Sequence, residues 1–257
     1  MWNPDLYLKY EDERTQPSRD LASRINISNP VNVIDIGCGP GNSTKVLKDR
    51  WPDADIIGLD SSPEMIAEAT HTDPQVHWIL ADVVNWAPET EYTIVFSNAA
   101  LQWIPDQENV IKKLFGCVRS HGALAIQVPA NSKSPLHQAV LQVSARKEWR
   151  DIMKGCETLL TYNDVSFYYN LLSTLTERIF VWATTYYHIM ENHQGLMDWY
   201  AGTGLRPYLE RLPKKELRHL FQYQILEACR SDYPVQPDGK ILFPFHRLFI
   251  VAYNEST

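Results

Sequence analysis

The fold is decided by the stretch Val33-Ile34-Asp35-Ile36-Gly37-Cys38-Gly39-Pro40-Gly41-Asn42-Ser43. A β-branched apolar run ends in an acidic residue, glycines follow at alternate positions, and a helical pattern begins at Thr44. This order predicts a strand, a tight turn and a helix. It is the first unit of a doubly wound parallel sheet, in which ligands bind at the carboxyl ends of the strands. Glycine permits positive φ angles and lets a ligand approach the backbone closely.

The composition limits the class of protein. A chain of 257 residues is long enough for one α/β domain with an insertion, or for two small domains. The net charge of −7 argues against a general nucleic-acid binder, which needs a basic surface. The four cysteines are widely spaced, which predicts neither a metal site nor disulfides and fits a reducing compartment. With no membrane-spanning apolar run and no signal peptide at the first residues, we expect a cytoplasmic protein without membrane contact and infer no obligatory protein partner.

The glycine loop departs from the dinucleotide-binding pattern. That pattern would place its last glycine at position 42, where this chain has Asn42, and Asp35 would repel a pyrophosphate but suit a cationic ligand. A nicotinamide oxidoreductase is therefore disfavoured, and a glycine-rich turn without a ligand remains the alternative. The loop resembles motif I of the Rossmann-like S-adenosylmethionine-dependent methyltransferases. The resemblance implies that S-adenosyl-L-methionine is bound by Asp35, Gly37, Cys38, Gly39 and Gly41, with S-adenosylhomocysteine as the product.

A second acidic residue ends the next predicted strand. Asp60 follows the glycine loop by about twenty residues, where a carboxylate accepts hydrogen bonds from the ribose hydroxyls of an adenosine. The alternative is an Asp that caps the following helix, for which Ser62 and Pro63 provide the start signal. Ser61 and Met65 are assigned to the same cofactor site. Met65 either covers the adenine or only packs in its helix.

The third and fourth predicted strands, residues 76–80 and 92–97, also end in polar residues. In the superfamily that the loop resembles, Asp82 and Val83 would contact the adenine, and Asn98 and Ala99 would lie where the methyl group faces its acceptor. Gln102 and Trp103 are candidates for the wall of the acceptor site, although Trp103 is equally explained as a core aromatic residue. The alternation of strands with helical patterns predicts an α/β fold with a Rossmann-like seven-stranded methyltransferase sheet and helices on both faces.

The second half of the chain predicts a helical cap inserted before the last strand. We expect one methyltransferase domain over residues 1–257, with a cofactor-binding core over 31–190, the cap over 193–234 and a closing strand over 239–254. Residues 1–30 either pack as a helix on the edge of the sheet or form a lid over the cofactor site.

Motifs along nearly the whole chain resemble the trans-aconitate 2-methyltransferase family. They include Gly58-Leu-Asp-Ser-Ser-Pro, Asn98-Ala-x-Leu-Gln-Trp, Thr185-Tyr-Tyr-His, Thr203-Gly-Leu-Arg-Pro and Pro244-x-x-Arg-Leu-Phe-Ile-Val-Ala. The resemblance implies that the enzyme forms a methyl ester on a small polycarboxylate such as trans-aconitate. One departure lies after the fifth strand, where Ala130 replaces an acidic residue that is typical of the family.

The expected chemistry needs positioning rather than a catalytic acid or base. A carboxylate is already ionised at neutral pH, and good near-attack geometry contributes roughly 7–11 kcal/mol to lowering a barrier. A polycarboxylate needs local cations, and arginine binds carboxylates in bidentate fashion. Arg206 and Arg247 are the candidates, each predicted to lie in apolar surroundings, and each has a purely structural alternative. The other predicted acceptor-binding residues are Tyr7, Gln102, Trp103 and Tyr187.

Two alternatives remain open. In the first, the acceptor is another small metabolite or an acyl group on a carrier protein, although a carrier would favour a basic docking patch that the composition of this acidic chain does not indicate. In the second alternative, the chain is not an enzyme but a cofactor-binding module that has lost turnover, with Ala130 as the candidate lesion.

Overall fold

The computed structural model describes residues 11–88 and 90–255. Its strands form one seven-stranded sheet in the spatial order β3-β2-β1-β4-β5-β7-β6. The strands are β1 (Asn32–Ile36), β2 (Asp55–Asp60), β3 (His77–Leu80), β4 (Tyr92–Asn98), β5 (Val118–Pro129), β6 (Ile179–Met190) and β7 (Ile241–Tyr253).

Among the described residues, one helix precedes β1, single helices follow β1, β2 and β4, two lie between β5 and β6, and three lie between β6 and β7. They are α1 (Glu11–Ser23), α2 (Asn42–Arg50), α3 (Pro63–Thr72), α4 (Gln107–Gly116), α5 (Pro135–Ser144), α6 (Val165–Leu172), α7 (His193–Ala201), α8 (Arg206–Glu210) and α9 (Lys215–Cys229). Short 3₁₀ turns cover Leu101–Trp103, Cys156–Thr158 and Arg230–Asp232.

The sheet is parallel where the glycine loop lies. β1 pairs in parallel with β2 and β4, and β4 pairs in parallel with β5. β7 then runs antiparallel to β5, from the pair Ala123 with Tyr253 to the pair Pro129 with Arg247. The predicted α/β class with a Rossmann-like seven-stranded sheet is confirmed.

The described residues form two compact units. We call residues 14–88, 90–129, 163–184 and 247–255 the sheet unit, and residues 11–13, 130–162 and 185–246 the helical unit. Each has its own hydrophobic core. The division of the chain into a lid, a core, a cap and a closing strand stays a prediction.

The core of the sheet unit lies between the central strands and the helices of that unit. Fully buried aliphatic side chains from β1, β4 and β5 meet those of α4, among them Ile34, Val95, Leu124, Ile111 and Leu114. Such β-branched and aliphatic runs are typical of strands that are covered on both faces. This core fixes the ends of the strands from which the predicted cofactor residues project.

The core of the helical unit is rich in aromatic side chains. Trp149 and Phe221 pack edge to face with ring centroids 5.1 Å apart. The Oη of Tyr200 lies 2.9 Å from Nδ1 of His137, which gives both buried polar groups a partner. A side chain on Gly204 would place its Cβ 2.6 Å from the Tyr200 ring, so the glycine of the Thr203–Pro207 motif makes room for Tyr200.

Several helices begin where the sequence places a capping residue. The Ser62 hydroxyl accepts from the Met65 N–H at 3.3 Å with Pro63 in the first turn, as predicted. The sequence from Ile104 to Val118 predicts one helix, but α4 is shorter, because the Asp106 carboxylate caps its start and a 3₁₀ turn covers Leu101–Trp103 before it.

The start of β5 and the 134–152 insertion also differ from prediction. The apolar run 123–129 predicts the fifth strand, but β5 already begins at Val118, because Tyr92 pairs with Val118. The sequence pattern of residues 134–152 predicts a helical insertion, but only Pro135–Ser144 form a regular helix, and turns follow.

The first residues of the chain bear on the lid hypothesis. The segment after α1 is tied to the sheet unit, since the Asn26 N–H donates to Tyr253 Oη at 2.7 Å and the Trp51 indole donates to the Ile27 carbonyl at 3.1 Å. Residues 1–10 lie outside the described residues, and Tyr7 with them. The lid therefore stays a prediction.

Candidate functional site

The glycine loop connects β1 to α2 with three glycines in left-handed backbone conformations. The φ angles are +70° at Gly37, +56° at Gly39 and +99° at Gly41, a region that side chains disfavour. A Cβ on Gly37 would come 2.2 Å from the Ala100 Cβ, whereas one on Gly39 would meet no atom within 4 Å. The loop is thus closely packed at its first glycine and open at its second. The predicted turn is confirmed.

Asp35 lies completely buried beneath this loop. Its Oδ2 accepts hydrogen bonds from the hydroxyls of Ser43, at 2.6 Å, and Thr44, at 2.7 Å. Its Oδ1 has no hydrogen-bond partner among the described residues. Burial raises the pKa of this carboxyl to about 6, the two hydroxyls oppose the rise, and the nearby charge of Asp60 adds to it. Sequence reasoning missed Ser43 and Thr44, although two hydroxyl residues opening the helix were a visible signal.

Asp60 joins the glycine loop to the start of α3. Its Oδ2 accepts from the Gly39 N–H and its Oδ1 from the Ser62 N–H, each at 2.9 Å. The carboxylate is half-buried at the end of β2. Neighbouring Ser61 is exposed and Met65 is half-buried. This geometry suits both the ribose-binding role and a purely structural one, so the cofactor role of these residues stays a prediction.

Trp78 supports the loop from β3. Its ring lies so close to β2 that a Cβ on Gly58 would come 2.3 Å from it, and a Cβ on Gly41 would come 3.0 Å from it. The Trp78 indole donates to the Asp73 carbonyl at 2.9 Å, which fixes the ring. Sequence reasoning missed Trp78, but a glycine inside a strand often marks such a close approach. Cys38 is buried beside Gly58, and burial raises the pKa of its thiol.

The residues after β3 form a surface turn. Asp82 is exposed and its Oδ1 accepts from the Val84 N–H at 2.9 Å, while Val83 is buried. The Lys113 ammonium donates to carbonyls of this turn, at 2.9 Å to Val84 and 3.0 Å to Trp86. The turn is therefore fixed from α4, and its predicted contact with adenine is not tested by these distances.

The end of β4 carries buried polar atoms for which the described part of the chain offers no hydrogen-bond partner. Ala99 has a left-handed φ of +55°, and its N–H donates to the Gln127 carbonyl at 2.9 Å. The Gln102 amide donates to the Ala99 carbonyl at 2.6 Å. Asn98 Oδ1 and Gln102 Oε1 have no hydrogen-bond partner among the described residues. Trp103 is 43% exposed, so its explanation as a core aromatic residue is wrong.

Gln127 and Arg247 form a buried pair in the sheet unit. Arg247 is only 5% exposed, and its Nη1 donates to Gln127 Oε1 at 3.2 Å. Phe249, the register partner of Gln127 on β7, is also buried, and the acceptor-binding role of Arg247 stays a prediction. Sequence reasoning missed Gln127. Its signal was a single polar residue in the apolar run 123–128.

The helical unit holds the other predicted acceptor residues that lie among the described residues. Arg206 opens α8 with a side chain that is 46% exposed, and its Nε donates to Glu210 Oε1 at 2.8 Å. The prediction of apolar surroundings for Arg206 is wrong, because the residue one helical turn later is an acid that holds the guanidinium at the surface. Tyr187 is 64% exposed, and Ala130 is also exposed.

The structure brings together the predicted cofactor residues of the sheet unit at the carboxyl ends of β1, β2 and β4. Parallel strands end at one edge of a sheet, which is why positions distant in sequence meet there. Among the residues that the structure describes, no group of His, Cys, Asp or Glu side chains is arranged to hold a metal ion. No helix within residues 11–88 and 90–255 has the length and apolar character needed to cross a membrane.

Comparison with known proteins places this arrangement in a family. A family model described as a methyltransferase domain matches residues 33–122. A trans-aconitate 2-methyltransferase from Escherichia coli O7:K1 is 44% identical over 98% of this chain and 97% of its own length. One from Variovorax paradoxus is 40% identical over 99% of both. The YcgJ protein from Bacillus subtilis, 12% identical, has the same fold with a TM-score of 0.62 over 94% of this chain and all of its own. The chain belongs to the trans-aconitate 2-methyltransferase family.

Proposed function

We propose that this protein transfers the methyl group of S-adenosyl-L-methionine to a carboxylate of trans-aconitate, forming a methyl ester and S-adenosylhomocysteine. The observation that carries the proposal is the identity of 40–44% to trans-aconitate 2-methyltransferases over nearly their whole length. An identity that extends through the helical unit covers more than the glycine loop that methyltransferases share.

The residues at the strand ends suit this cofactor. A methionine moiety carries an ammonium group and a sulfonium, so it favours a site with a negative charge and free hydrogen-bond acceptors. Asp35 Oδ1 and Asn98 Oδ1 are buried acceptors without partners among the described residues. The open side of Gly39 and the carboxylate of Asp60 supply the close backbone approach and the acceptors that an adenosine ribose needs.

The chemistry asks little of the protein beyond binding. S-adenosylmethionine supplies, when bound, a methyl group on a positively charged sulfur. The acceptor carboxylate is ionised at neutral pH and attacks without a general base. The protein's part is to hold that carboxylate in line with the methyl group and to exclude water, and positioning of this kind contributes roughly 7–11 kcal/mol. In this proposal no residue is a catalytic acid or base.

The acceptor side of the proposal centres on the sheet unit. Arg247 offers a buried guanidinium, which binds a carboxylate more strongly than a solvated one does. Gln102 and Trp103 follow the loop at the end of β4 and form part of the proposed wall of the acceptor site. Arg206, Tyr187 and Tyr7 stay predicted acceptor-binding residues. The four buried free thiols fit the cytoplasmic location that we also propose.

Turnover of labelled S-adenosylmethionine against a panel of small polycarboxylates tests the proposal, with the position of the ester read by NMR. We expect trans-aconitate to be methylated well above citrate and succinate. Methylation of a different metabolite, or of an acyl group on a carrier protein, would replace trans-aconitate as the acceptor. Cofactor binding without turnover on any acceptor would identify a module that has lost activity, and Ala130 would be the first residue to restore to an acid.

A further inference from the structure

Three buried side-chain atoms near the ends of β4 and β5 have no hydrogen-bond partner within residues 11–88 and 90–255. They are Asn98 Oδ1, Gln102 Oε1 and Gln127 Nε2, none of which has a hydrogen-bond partner among the described residues. Nearly all buried polar groups in proteins are hydrogen-bonded, and a buried group that makes no hydrogen bond destabilises the fold. Asn98 and Gln127 are register partners on neighbouring strands. Several buried polar atoms that lack hydrogen bonds at the same edge of the sheet point to a ligand that supplies the missing partners.

Gln127 differs from Asn98 and Gln102 because its atom without a hydrogen-bond partner among the described residues is a donor, whereas theirs are acceptors. Its side chain is fully buried, and its Oε1 already accepts from the Arg247 guanidinium at 3.2 Å. Both ends of an amide lie in one plane, so this bond also fixes the Nε2 group beside the guanidinium. The pair therefore offers an amide donor adjacent to a cation, and that combination suits a carboxylate.

A glutamine at position 127 also leaves the attraction of the Arg247 guanidinium for an anion undiminished. A glutamate would accept from Arg247 equally well, but its negative charge would oppose an incoming carboxylate. The neutral amide orients the guanidinium without adding that charge. The position is also close to the expected reaction, since the backbone carbonyl of Gln127 accepts from the N–H of Ala99 in the loop after β4.

We propose that Gln127 binds the acceptor: its Nε2 donates a hydrogen bond to a carboxylate of the polycarboxylate, and its Oε1 orients Arg247 toward the same carboxylate. This inference rests on the proposed function and adds a specificity-determining residue to it. It also explains why one polar side chain stands in the otherwise apolar run of β5.

The test uses Gln127→Met, which keeps the length of the side chain but removes both hydrogen bonds, and Gln127→Glu, which keeps the acceptor for Arg247. We expect KM for trans-aconitate to rise about tenfold or more in Q127M, and further in Q127E, because a hydrogen bond to a charged group is lost and then a repulsion is added. The dissociation constant of S-adenosylmethionine should stay within about twofold in both, since neither change touches the glycine loop.

Gln107→Met is the matched control. Gln107 is also a buried glutamine of the sheet unit, and its Oε1 accepts from Tyr168 at 2.7 Å and Asn163 at 3.1 Å. This control should lower the melting temperature and leave KM for the acceptor unchanged. If Q127M does not fold, Q127E carries the test, because it retains the shape of the side chain and its bond to Arg247.

The outcomes separate the inference from the function on which it rests. A second readout is the rise in melting temperature of the S-adenosylhomocysteine complex on adding trans-aconitate, which needs no turnover. If both variants keep the activity and the KM of the wild type, the role of Gln127 is overturned and the proposed function is not. A parallel loss of cofactor affinity makes Gln127 structural and also overturns it. A wild-type protein that neither methylates nor is stabilised by any polycarboxylate overturns the proposed function and the inference together.

Discussion

The two arginines predicted to bind acceptor carboxylates lie in opposite environments. Arg206 of the helical unit is half exposed and paired with Glu210 at 2.8 Å. Arg247 of the sheet unit is buried and donates to a neutral amide, that of Gln127. The two residues are the same chemically and were predicted on the same grounds, so the difference comes from their surroundings alone.

This contrast indicates which of the two arginines can bind a carboxylate of the acceptor more strongly. An exposed ion pair is screened by water and typically contributes less than about 1 kcal/mol. A guanidinium held in a buried site is already desolvated and oriented, so an incoming carboxylate gains more from it. The sheet unit also holds one acceptor atom each of Asp35 and Asn98 that has no hydrogen-bond partner in the part of the chain that the structure describes. We therefore expect variants of the sheet unit to have the larger effects on binding.

The largest effect is expected for Asp60→Ala in the sheet unit. The change removes the carboxylate proposed to bind the ribose, and it also frees the N–H groups of Gly39 and Ser62. Loss of two charge-assisted hydrogen bonds should weaken S-adenosylmethionine binding about 100-fold or more, as measured by calorimetry. Asp55→Ala, at the exposed start of the same strand, is the control and should bind normally. Unchanged binding in D60A would remove the cofactor site from this edge of the sheet.

Arg247→Met should have the next largest effect. The variant keeps much of the apolar volume and removes the guanidinium, so KM for trans-aconitate should rise about 30-fold or more while cofactor affinity stays within about threefold. Steady-state kinetics with each substrate varied in turn measures both. Arg119→Met, an exposed arginine of β5, controls for loss of a positive charge. A change in cofactor affinity equal to the change in KM would mean that Arg247 is structural.

Asp35→Asn should weaken S-adenosylmethionine binding about tenfold at pH 7.5 without lowering stability. The pKa of Asp35 in the folded chain is raised from 3.8 to about 6. Its contribution to stability is therefore present below pH about 4 and is lost as the pH rises through about 6, because ionisation of the buried group then opposes folding. The asparagine variant avoids that ionisation and should melt at or above the temperature of the wild type at pH 7.5.

The same residue should make cofactor affinity depend on pH. The wild-type protein should bind the cationic cofactor more tightly as the pH rises through about 6, where Asp35 ionises, and D35N should lose this dependence. Asp49→Asn, on the exposed face of α2, is the matched control and should keep it. Identical pH profiles for the wild type and D35N would contradict an ionised Asp35 beneath the cofactor.

Arg206→Ala should have the smallest effect. If Arg206 contacts the acceptor from its half-exposed position, KM for trans-aconitate should rise only about threefold, because the guanidinium must leave water and Glu210 to bind. Arg230→Ala is the control, since Arg230 is also exposed and pairs with Glu227. A rise in KM well above that of Arg247→Met would reverse the comparison of the two units.

Local patterns predicted the parts of the molecule that depend on local backbone geometry. The turn at Gly37, Gly39 and Gly41 has the positive φ angles that its spacing indicated, and α3 begins at the Ser62 and Pro63 signal. These features are set by a few adjacent residues. The position of Asp60 at the end of a neighbouring strand followed as well, because parallel strands end at the same edge of the sheet.

What the sequence could not predict depends on contacts between distant residues. Trp78 packs on Gly58 and Gly41, and Gln127 meets Arg247 across 120 positions of sequence. No local pattern encodes such pairs. Arg206 was predicted from its apolar neighbours in the chain, but its environment is set by the helix, which brings Glu210 to its side one turn later.

The most direct test is to measure KM for trans-aconitate in Arg247→Met and Arg206→Ala side by side, at saturating S-adenosylmethionine and with cofactor dissociation constants determined for both. We expect KM in R247M to exceed KM in R206A by about tenfold, with both variants binding the cofactor as the wild type does. Equal values, or a larger value in R206A, would contradict the proposal that the buried edge of the sheet unit provides the main cation for the acceptor.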